Sequence, residues 1–225
     1  MPWDSWFLKI NPNGRIPAIL DGSQRVFESG AIMLYLTEKY DQERKISYAP
    51  GTSEYVEQLS WLMYQMGGVG PMQGNNCIPK HTHFLFSPMS FSWLIASSLY
   101  TGQANHFRLF AGARSDYGIN RYISETKRLY SALESRLKES PFLAGSKYTI
   151  ADIANYSWVR SAPVALEIDL AEWPALKKWA EGIEKREAVS KGVDVPKRDI
   201  TPEQMAEKFK SARARIDGMT NSDQH

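Results

Sequence analysis

The chain has 225 residues, of which 43% are hydrophobic and 23% charged, and its formal net charge is +2. This composition is ordinary for a globular protein, and the small charge excludes the strong basic field with which proteins bind nucleic acid or anionic membranes. The single cysteine, Cys77, excludes an internal disulfide framework and favours a reducing compartment. The N-terminal sequence MPWDSWFLKINPNGR lacks a basic segment followed by an apolar one, so we expect a cytoplasmic protein without a secretory signal.

The first 45 residues are predicted to form a small α/β unit. The apolar run RIPAILD ends in a turn signal, Asp21-Gly22, and QRVFE can return as a second strand. From Glu28 the sequence ESGAIMLYLTEKY carries its apolar residues at helical spacing. A pair of strands with a single helix buries too little surface to be stable alone. We therefore expect residues 1–45 to be part of a larger domain, followed by a linker at residues 46–51.

The remainder is predicted to be an all-helical domain over residues 52–198, followed by a C-terminal helix and tail at residues 199–225. SEYVEQLSWLMYQMGG approximates helical spacing as far as Gly67 and Gly68, which end or kink the helix. The clearest helix is predicted over residues 120–139, where an apolar stripe lies opposite the charges.

The most informative signal in the helical domain is a capping box. Thr149 stands where a helix should begin, and Asp152 follows three residues later. Capping explains Asp152 fully, so we assign it a structural role. Tyr156 and Trp158, in the same predicted helix, are expected to pack in the core rather than to line a pocket. A further helix is predicted to begin near Trp173, because proline follows it and is favoured at a first helical position.

The stretch from Ile16 to Ser29 offers three groups that suit one ligand. The Ile16-Pro17 bond enters a strand, is well placed to be cis, and leaves the backbone of Ile16 free for an extended ligand. Glu28 and Ser29 open a helix, whose free N–H groups and dipole bind anions such as a carboxylate. The Glu28 carboxylate can receive an ammonium group. Together these groups match a γ-glutamyl peptide.

The string NPNGRIPAILDGSQRVFESGAIMLYL resembles the second half of the glutathione-binding domain of glutathione transferases. It looks most like their nitrogen-regulator-like class, found in fungi and bacteria, and the matching segments are residues 11–19 and 28–32. FLAGSKYTIADIA is similar to the capping box of the family's helical domain. The resemblance covers residues 3–74 and 103–198.

The resemblance implies an incomplete thioredoxin-like α/β N-terminal domain followed by an all-α C-terminal domain of the glutathione transferase type. It also implies a homodimer with the active site in the cleft between the two domains. The family's first domain begins with strand, helix, strand before the NPNGR loop, and that unit carries the residue that activates the thiolate. The unit has no counterpart in this sequence, so the resemblance assigns no catalytic residue.

For the remaining site residues the resemblance implies definite roles. Pro17 is the family's cis-proline, Ile16 pairs its backbone with the cysteinyl part of glutathione, and Glu28 and Ser29 hold the γ-glutamyl end. Arg15 is a further contact. The alternatives are that Glu28 and Ser29 simply cap a helix and that Arg15 is an ordinary surface side chain.

The function implied is that of a glutathione transferase-like enzyme, with glutathione as co-substrate, that adds the thiol to an electrophilic small molecule. Fungal members of the family also imply a role in secondary-metabolite biosynthesis. One alternative is a glutathione-dependent double-bond isomerase, and another is a non-catalytic binding or regulatory protein. In the family, six positions face glutathione across the cleft and are candidates for the second-substrate site: Tyr64, Gln65, Met66, Gly70, Pro71 and Met72.

Residues 75–102 form an atypical insert, rich in serine and free of acidic residues. Its apolar run is shorter than the about 20 residues that a membrane-spanning helix needs. We favour translated non-coding sequence, such as a retained intron, over a functional lid, since so long a loop is uncommon. His81 and His83 have a metal-like spacing, but with His106 they do not complete a ligand pattern, so no metal is expected. Cys77 lies in the insert and receives no chemical role.

Overall fold

The computed structural model describes residues 5–73 and 114–193, together with single positions between 104 and 111 and between 203 and 214. The first of these segments contains an N-terminal unit of two strands and two helices. Its elements are α1 (Ser5–Leu8), β1 (Ala18–Asp21), β2 (Gln24–Phe27) and α2 (Ser29–Tyr40). The predicted order of strand, turn, strand and helix is confirmed, whereas α1 was not predicted.

Strands β1 and β2 form an antiparallel hairpin in which Ala18 faces Phe27 and Asp21 faces Gln24. Gly22 occupies the tight turn with a φ of 60°, a conformation that glycine adopts without steric cost. The Asp21 carboxylate then ties the hairpin to α2, because it accepts hydrogen bonds from the Tyr35 hydroxyl at 2.8 Å and from the Lys39 ammonium at 2.7 Å. The hairpin is therefore fixed to the helix that follows it.

Within residues 52–73 and 114–193, the helical domain contains six α-helices and two shorter helical segments. Helix α3 (Ser53–Tyr64) continues through a π-helical segment, Gln65–Val69, into α4 (Gly70–Gln73). The Gly67-Gly68 pair thus lies within a distorted helix and does not end it. The later elements are α5 (Asp116–Glu139), α6 (Ile150–Ala165), a 3₁₀ turn (Leu170–Glu172), α7 (Pro174–Glu184) and α8 (Glu187–Gly192).

The core of the helical domain packs α5, α6 and α7 together, and its fully buried side chains include Tyr130, Leu133 and Leu176. Residue Gln73 fastens α4 to this core. Its amide oxygen accepts a hydrogen bond from the Tyr130 hydroxyl at 2.8 Å, and its amide nitrogen donates to the carbonyl oxygen of Trp158 at 2.8 Å. Because these buried polar groups are mutually paired, their hydrogen bonds offset the cost of desolvating them and fix the position of α4.

The predicted capping box begins α6, which confirms the structural role of Asp152. The Thr149 hydroxyl accepts from the backbone of Ala151, and the Asp152 carboxylate accepts from the backbone N–H of Thr149 at 2.9 Å. The same carboxylate accepts from the backbone of Leu143 at 3.0 Å and from the Trp179 indole at 2.9 Å. Burial raises the pKa of Asp152, and these donors oppose that rise.

Two other predictions for the helical domain agree with the structure. Tyr156 and Trp158 are buried in the core, as expected, and α7 begins at Pro174, directly after Trp173. Within the described segments, none of the helices has both the length and the apolar content to cross a bilayer.

Two further groups of predictions stay untested. The insert at residues 75–102, with Cys77, His81 and His83, lies outside the described residues, and so does His106. The predicted domain boundaries also stay predictions.

Candidate functional site

The loop before β1 is held by one buried side chain, Asn11, which is only 1% exposed. Its amide oxygen accepts from the backbone N–H of Asn13 at 3.0 Å, and its amide nitrogen donates to the carbonyl oxygen of Arg15. Gly14 turns the chain with a φ of 64°. Sequence reasoning gave Asn11 no role, although an asparagine at the start of an Asn-Pro-Asn-Gly run is a known signal for such a side-chain turn. Asn11 therefore fixes the backbone position of Arg15 at the end of the loop.

The Ile16-Pro17 peptide bond is cis, as predicted. Strand β1 begins at Ala18, so Ile16 and Pro17 precede the hairpin ladder and the backbone of Ile16 takes no part in the pairing of β1 with β2. Both residues are partly exposed. This arrangement fits the expected role of Ile16, because a backbone outside the ladder keeps its N–H and C=O groups for another extended chain.

The register of the hairpin brings the two halves of the predicted site together. Ala18 is paired with Phe27, so the residue before Ala18 and the residue after Phe27, Pro17 and Glu28, lie at the same end of the hairpin. Arg15 and Ile16 precede Pro17 at that end, and Ser29 follows Glu28 as the first residue of α2. All five predicted site residues therefore stand at one end of the hairpin, beside the N-terminus of α2.

Glu28 adopts a backbone conformation that L-residues rarely occupy, with a φ of 71° and a ψ of 127°. Such strained positions cluster at ligand-binding sites. The Glu28 side chain is exposed and makes no capping hydrogen bond, although the residue occupies the N-cap position of α2. The side chain of Glu28 therefore does not cap α2 by a hydrogen bond, and its carboxylate is accessible to a cationic group.

Ser29 begins α2, whose first turn presents backbone N–H groups without intrahelical partners. The Ser29 hydroxyl donates to the sulfur of Met66 at 3.5 Å. Met66 lies in the π-helical segment, so this contact joins the N-terminal unit to the helical domain. A side chain added at Gly30 would meet the Cγ and Cε atoms of Met66 at 3.3 Å, which means that Met66 lies directly on the first turn of α2.

Most of the other residues proposed to face the cleft are buried or already hydrogen-bonded, and so are less available to contact a ligand. The Tyr64 hydroxyl donates to the carbonyl oxygen of Leu129 at 3.2 Å, and burial raises the pKa of Tyr64, so this phenol is poorly suited to activating a thiol. Gln65 and Gly70 are buried, whereas Pro71 and Met72 are partly exposed. In the described part of the chain, no three His, Cys, Asp or Glu side chains come together as a metal site would require. Of the six cleft candidates, Met66 is the one with contacts to the first turn of α2 in the described geometry.

Comparisons with known proteins identify the family of both parts of the chain. Residues 2–38 match the family model "Glutathione S-transferase, N-terminal domain", and residues 121–187 match "Glutathione S-transferase, C-terminal domain". The chain is 39% identical over 194 residues to the disulfide-bond oxidoreductase YfcG of Escherichia coli, covering 83% of this chain and 75% of that protein. It spans 64% and 58% of the lengths of two further bacterial relatives.

Solved structures show the same fold. A glutathione transferase homologue from Lodderomyces elongisporus, crystallised with two glutathione molecules per subunit, is 37% identical with a TM-score of 0.71, covering 87% of this chain and 82% of that one. The glutathione transferase URE2P6 from Phanerochaete chrysosporium, solved with oxidised glutathione, is 33% identical with a TM-score of 0.70, covering 92% and 80%. With its thioredoxin-like N-terminal unit and its helical second domain, this chain belongs to the glutathione transferase family.

Proposed function

We propose that the chain binds glutathione at the end of the hairpin and transfers its thiol to an electrophilic small molecule. The observation that carries this proposal is that the hairpin register brings Ile16, whose backbone lies outside the β1–β2 ladder, to the same end as Glu28, which has a φ of 71° at the N-terminus of α2. The backbone of Ile16 would pair with the cysteinyl residue, and the first turn of α2 with Ser29 would bind the γ-glutamyl carboxylate. Glu28 would receive the ammonium group, and Arg15 would add a further contact.

The chemistry requires the glutathione thiol to lose its proton before it attacks. The thiolate then forms a sulfur–carbon bond with the electrophile, a leaving group such as chloride departs with the bonding electrons, and the thiol proton passes to solvent. The positive end of the α2 dipole favours negative charge near the bound peptide. We assign no thiolate-activating residue.

A second candidate is glutathione-dependent disulfide reduction, which the 39% identity to a disulfide-bond oxidoreductase favours. Here the thiolate of one glutathione attacks a disulfide, one sulfur leaves as a thiolate, and a second glutathione resolves the mixed disulfide to give oxidised glutathione. The reaction needs no thiol from the protein. Double-bond isomerisation, a role in secondary metabolism and a purely non-catalytic binding role stay predictions.

Calorimetric titration of the purified chain with reduced glutathione tests binding. Replacing Glu28 by Gln removes the charge that receives the ammonium group, so we expect the dissociation constant for glutathione to rise about tenfold. Glu181→Gln is the matched control, because Glu181 is exposed on α7, outside the proposed site, and should leave the constant unchanged. No heat of binding with the unaltered chain would contradict both glutathione-dependent functions.

Turnover assays separate the candidates. A chloronitrobenzene reports thiol transfer, and hydroxyethyl disulfide reports disulfide reduction, each followed in the presence of glutathione. Turnover of the first substrate supports the transferase, turnover of the second supports the reductase, and binding without turnover of either leaves the non-catalytic role.

We also propose a homodimer, as in the family. Helix α3 has an exposed apolar stripe: Val56 is 60% exposed and Met63, seven residues later on the same face, is 49% exposed. A second copy of the chain would cover this stripe. Light scattering after size exclusion should give twice the chain mass, and Met63→Glu should shift the protein towards the monomer. A monomeric parent chain would contradict the dimer without touching the glutathione site.

A further inference from the structure

Met66 is placed between the two parts of the molecule. Its sulfur accepts the Ser29 hydroxyl at 3.5 Å, and its side chain lies against Gly30 on the first turn of α2. It also packs on a hydrophobic cluster formed by Met33, Leu62, Ile150 and Ala154. Met66 is nevertheless only partly buried, so part of its side chain is accessible.

We propose that Met66 is a specificity-determining residue of the glutathione site, forming the wall that faces the γ-glutamyl carboxylate. This inference rests on the proposed function. The Ser29 hydroxyl donates to the Met66 sulfur. A thioether is a weak acceptor, whereas a carboxylate accepts much stronger hydrogen bonds. A bound carboxylate therefore takes the Ser29 hydroxyl away from Met66.

The properties of methionine suit this exchange. Its unbranched side chain has three rotatable bonds, so it can yield to a ligand at little cost. It carries no charge, so it neither repels the carboxylate nor competes for the unpaired N–H groups of α2. As an apolar wall it keeps water from the first turn, where the interaction of the helix with an anion is stronger in a poorly hydrated site.

The π-helical geometry is part of this arrangement. The backbone N–H of Gly70 bonds to the carbonyl oxygen of Gln65, which is the wide spacing of a π turn. Such turns are rare and frequent at functional sites. In this chain the wide turn includes Met66, and the same distorted rod continues into the buried Gln73. Met66 therefore lies on a helical segment that the buried Gln73 fixes to the core.

The test compares side chains of nearly equal size that differ in charge. Met66→Glu places an anion on the proposed wall, and Met66→Gln is its neutral counterpart. We expect glutathione to bind the Glu variant at least about tenfold more weakly than the Gln variant, since two negative charges would lie within a few ångströms of each other. A purely structural role of Met66 would give equal dissociation constants for the pair. Met66→Lys, in which the charge is reversed, should bind more tightly than Met66→Gln and serves if the Glu variant fails to fold.

The control pair is Val164→Glu and Val164→Gln. Val164 is 47% exposed near the end of α6. It lies about 15 Å along the helix from Ala154, which belongs to the hydrophobic cluster on which Met66 packs. The dissociation constants of this pair should agree within about twofold. If the parent chain binds glutathione but the charge at residue 66 has no effect, the inference about Met66 is overturned and the proposed function stands. If the parent chain does not bind glutathione, the proposed function itself is overturned.

Discussion

The N-terminal unit and the helical domain stabilise themselves in different ways. In β1 and β2 no residue is buried, and polar contacts of Asp21 and Asn11 hold the unit's loops. In α6, by contrast, eleven of sixteen residues are buried. The helical domain therefore supplies most of the hydrophobic stabilisation, and the N-terminal unit leaves backbone and carboxylate groups accessible for a ligand.

This difference places the proposed binding site and most of the hydrophobic stabilisation in separate parts of the chain. Met33 of the N-terminal unit and Met66 of the helical domain pack in the same hydrophobic cluster. The N-terminal unit therefore depends on the helical domain for an apolar surface to pack against. A change in the core should weaken both parts, whereas a change in the hairpin should leave the core intact.

The largest effect is expected from Asp152→Ala. The substitution leaves the N–H groups of Leu143, Thr149 and Trp179 buried without their acceptor, so we expect a loss of about 3 kcal/mol or more in the free energy of unfolding. Urea denaturation followed by circular dichroism measures this loss. Asp116→Ala, at a residue with a 56% exposed side chain on α5, is the control, and should change stability by less than about 0.5 kcal/mol. Equal losses for both variants would show that the capping box is not a main source of stability.

A smaller effect is expected from Tyr130→Phe. The change keeps the ring but removes the hydroxyl that donates to the amide oxygen of Gln73. The buried amide oxygen then lacks its partner, which should cost about 1–2 kcal/mol. The same denaturation experiment measures the loss, and Tyr117→Phe, at a residue that is 75% exposed, should have no effect.

The smallest effect concerns the hairpin and depends on pH. Hydrogen bonds from Lys39, Tyr40 and Tyr35 lower the pKa of Asp21 to about 2. Because the folded-state pKa lies below the ordinary value of 3.8, the stabilisation is fully present above about pH 4 and is lost as the pH falls towards 2. Asp21→Asn should be less stable than the parent chain at neutral pH, and the difference should shrink over that window. Proteolysis of the hairpin at a series of pH values measures it, and a difference that does not change with pH would contradict the assignment.

The sequence predicted those features whose signals are local. The hairpin turn, the cis bond at Pro17 and the capping box of Thr149 and Asp152 each depend on a few adjacent residue types. Helix α5 was also predicted, because its stripe spans many turns, although it begins at Asp116 rather than at residue 120.

Other features depend on contacts between distant residues, which a single sequence does not reveal. The bond from Ser29 to Met66 joins residues 37 positions apart, and the strained backbone of Glu28 arises where the hairpin meets α2. Met66 was among six candidates for the cleft, but nothing in the sequence distinguished it from Gln65, which is buried. Helix α1 was missed since its four residues are too few to show a period.

The π turn at Gln65–Val69 has a consequence for sequence alignment. It accommodates one more residue than an α-helical turn between α3 and α4. Each residue of a regular α-helix rotates the chain by about 100°, so deleting Gly67 would turn everything that follows and carry Gln73 out of the core. An alignment of related chains must therefore keep the residue count of this turn, because a gap at Gly67 would mismatch the buried Gln73.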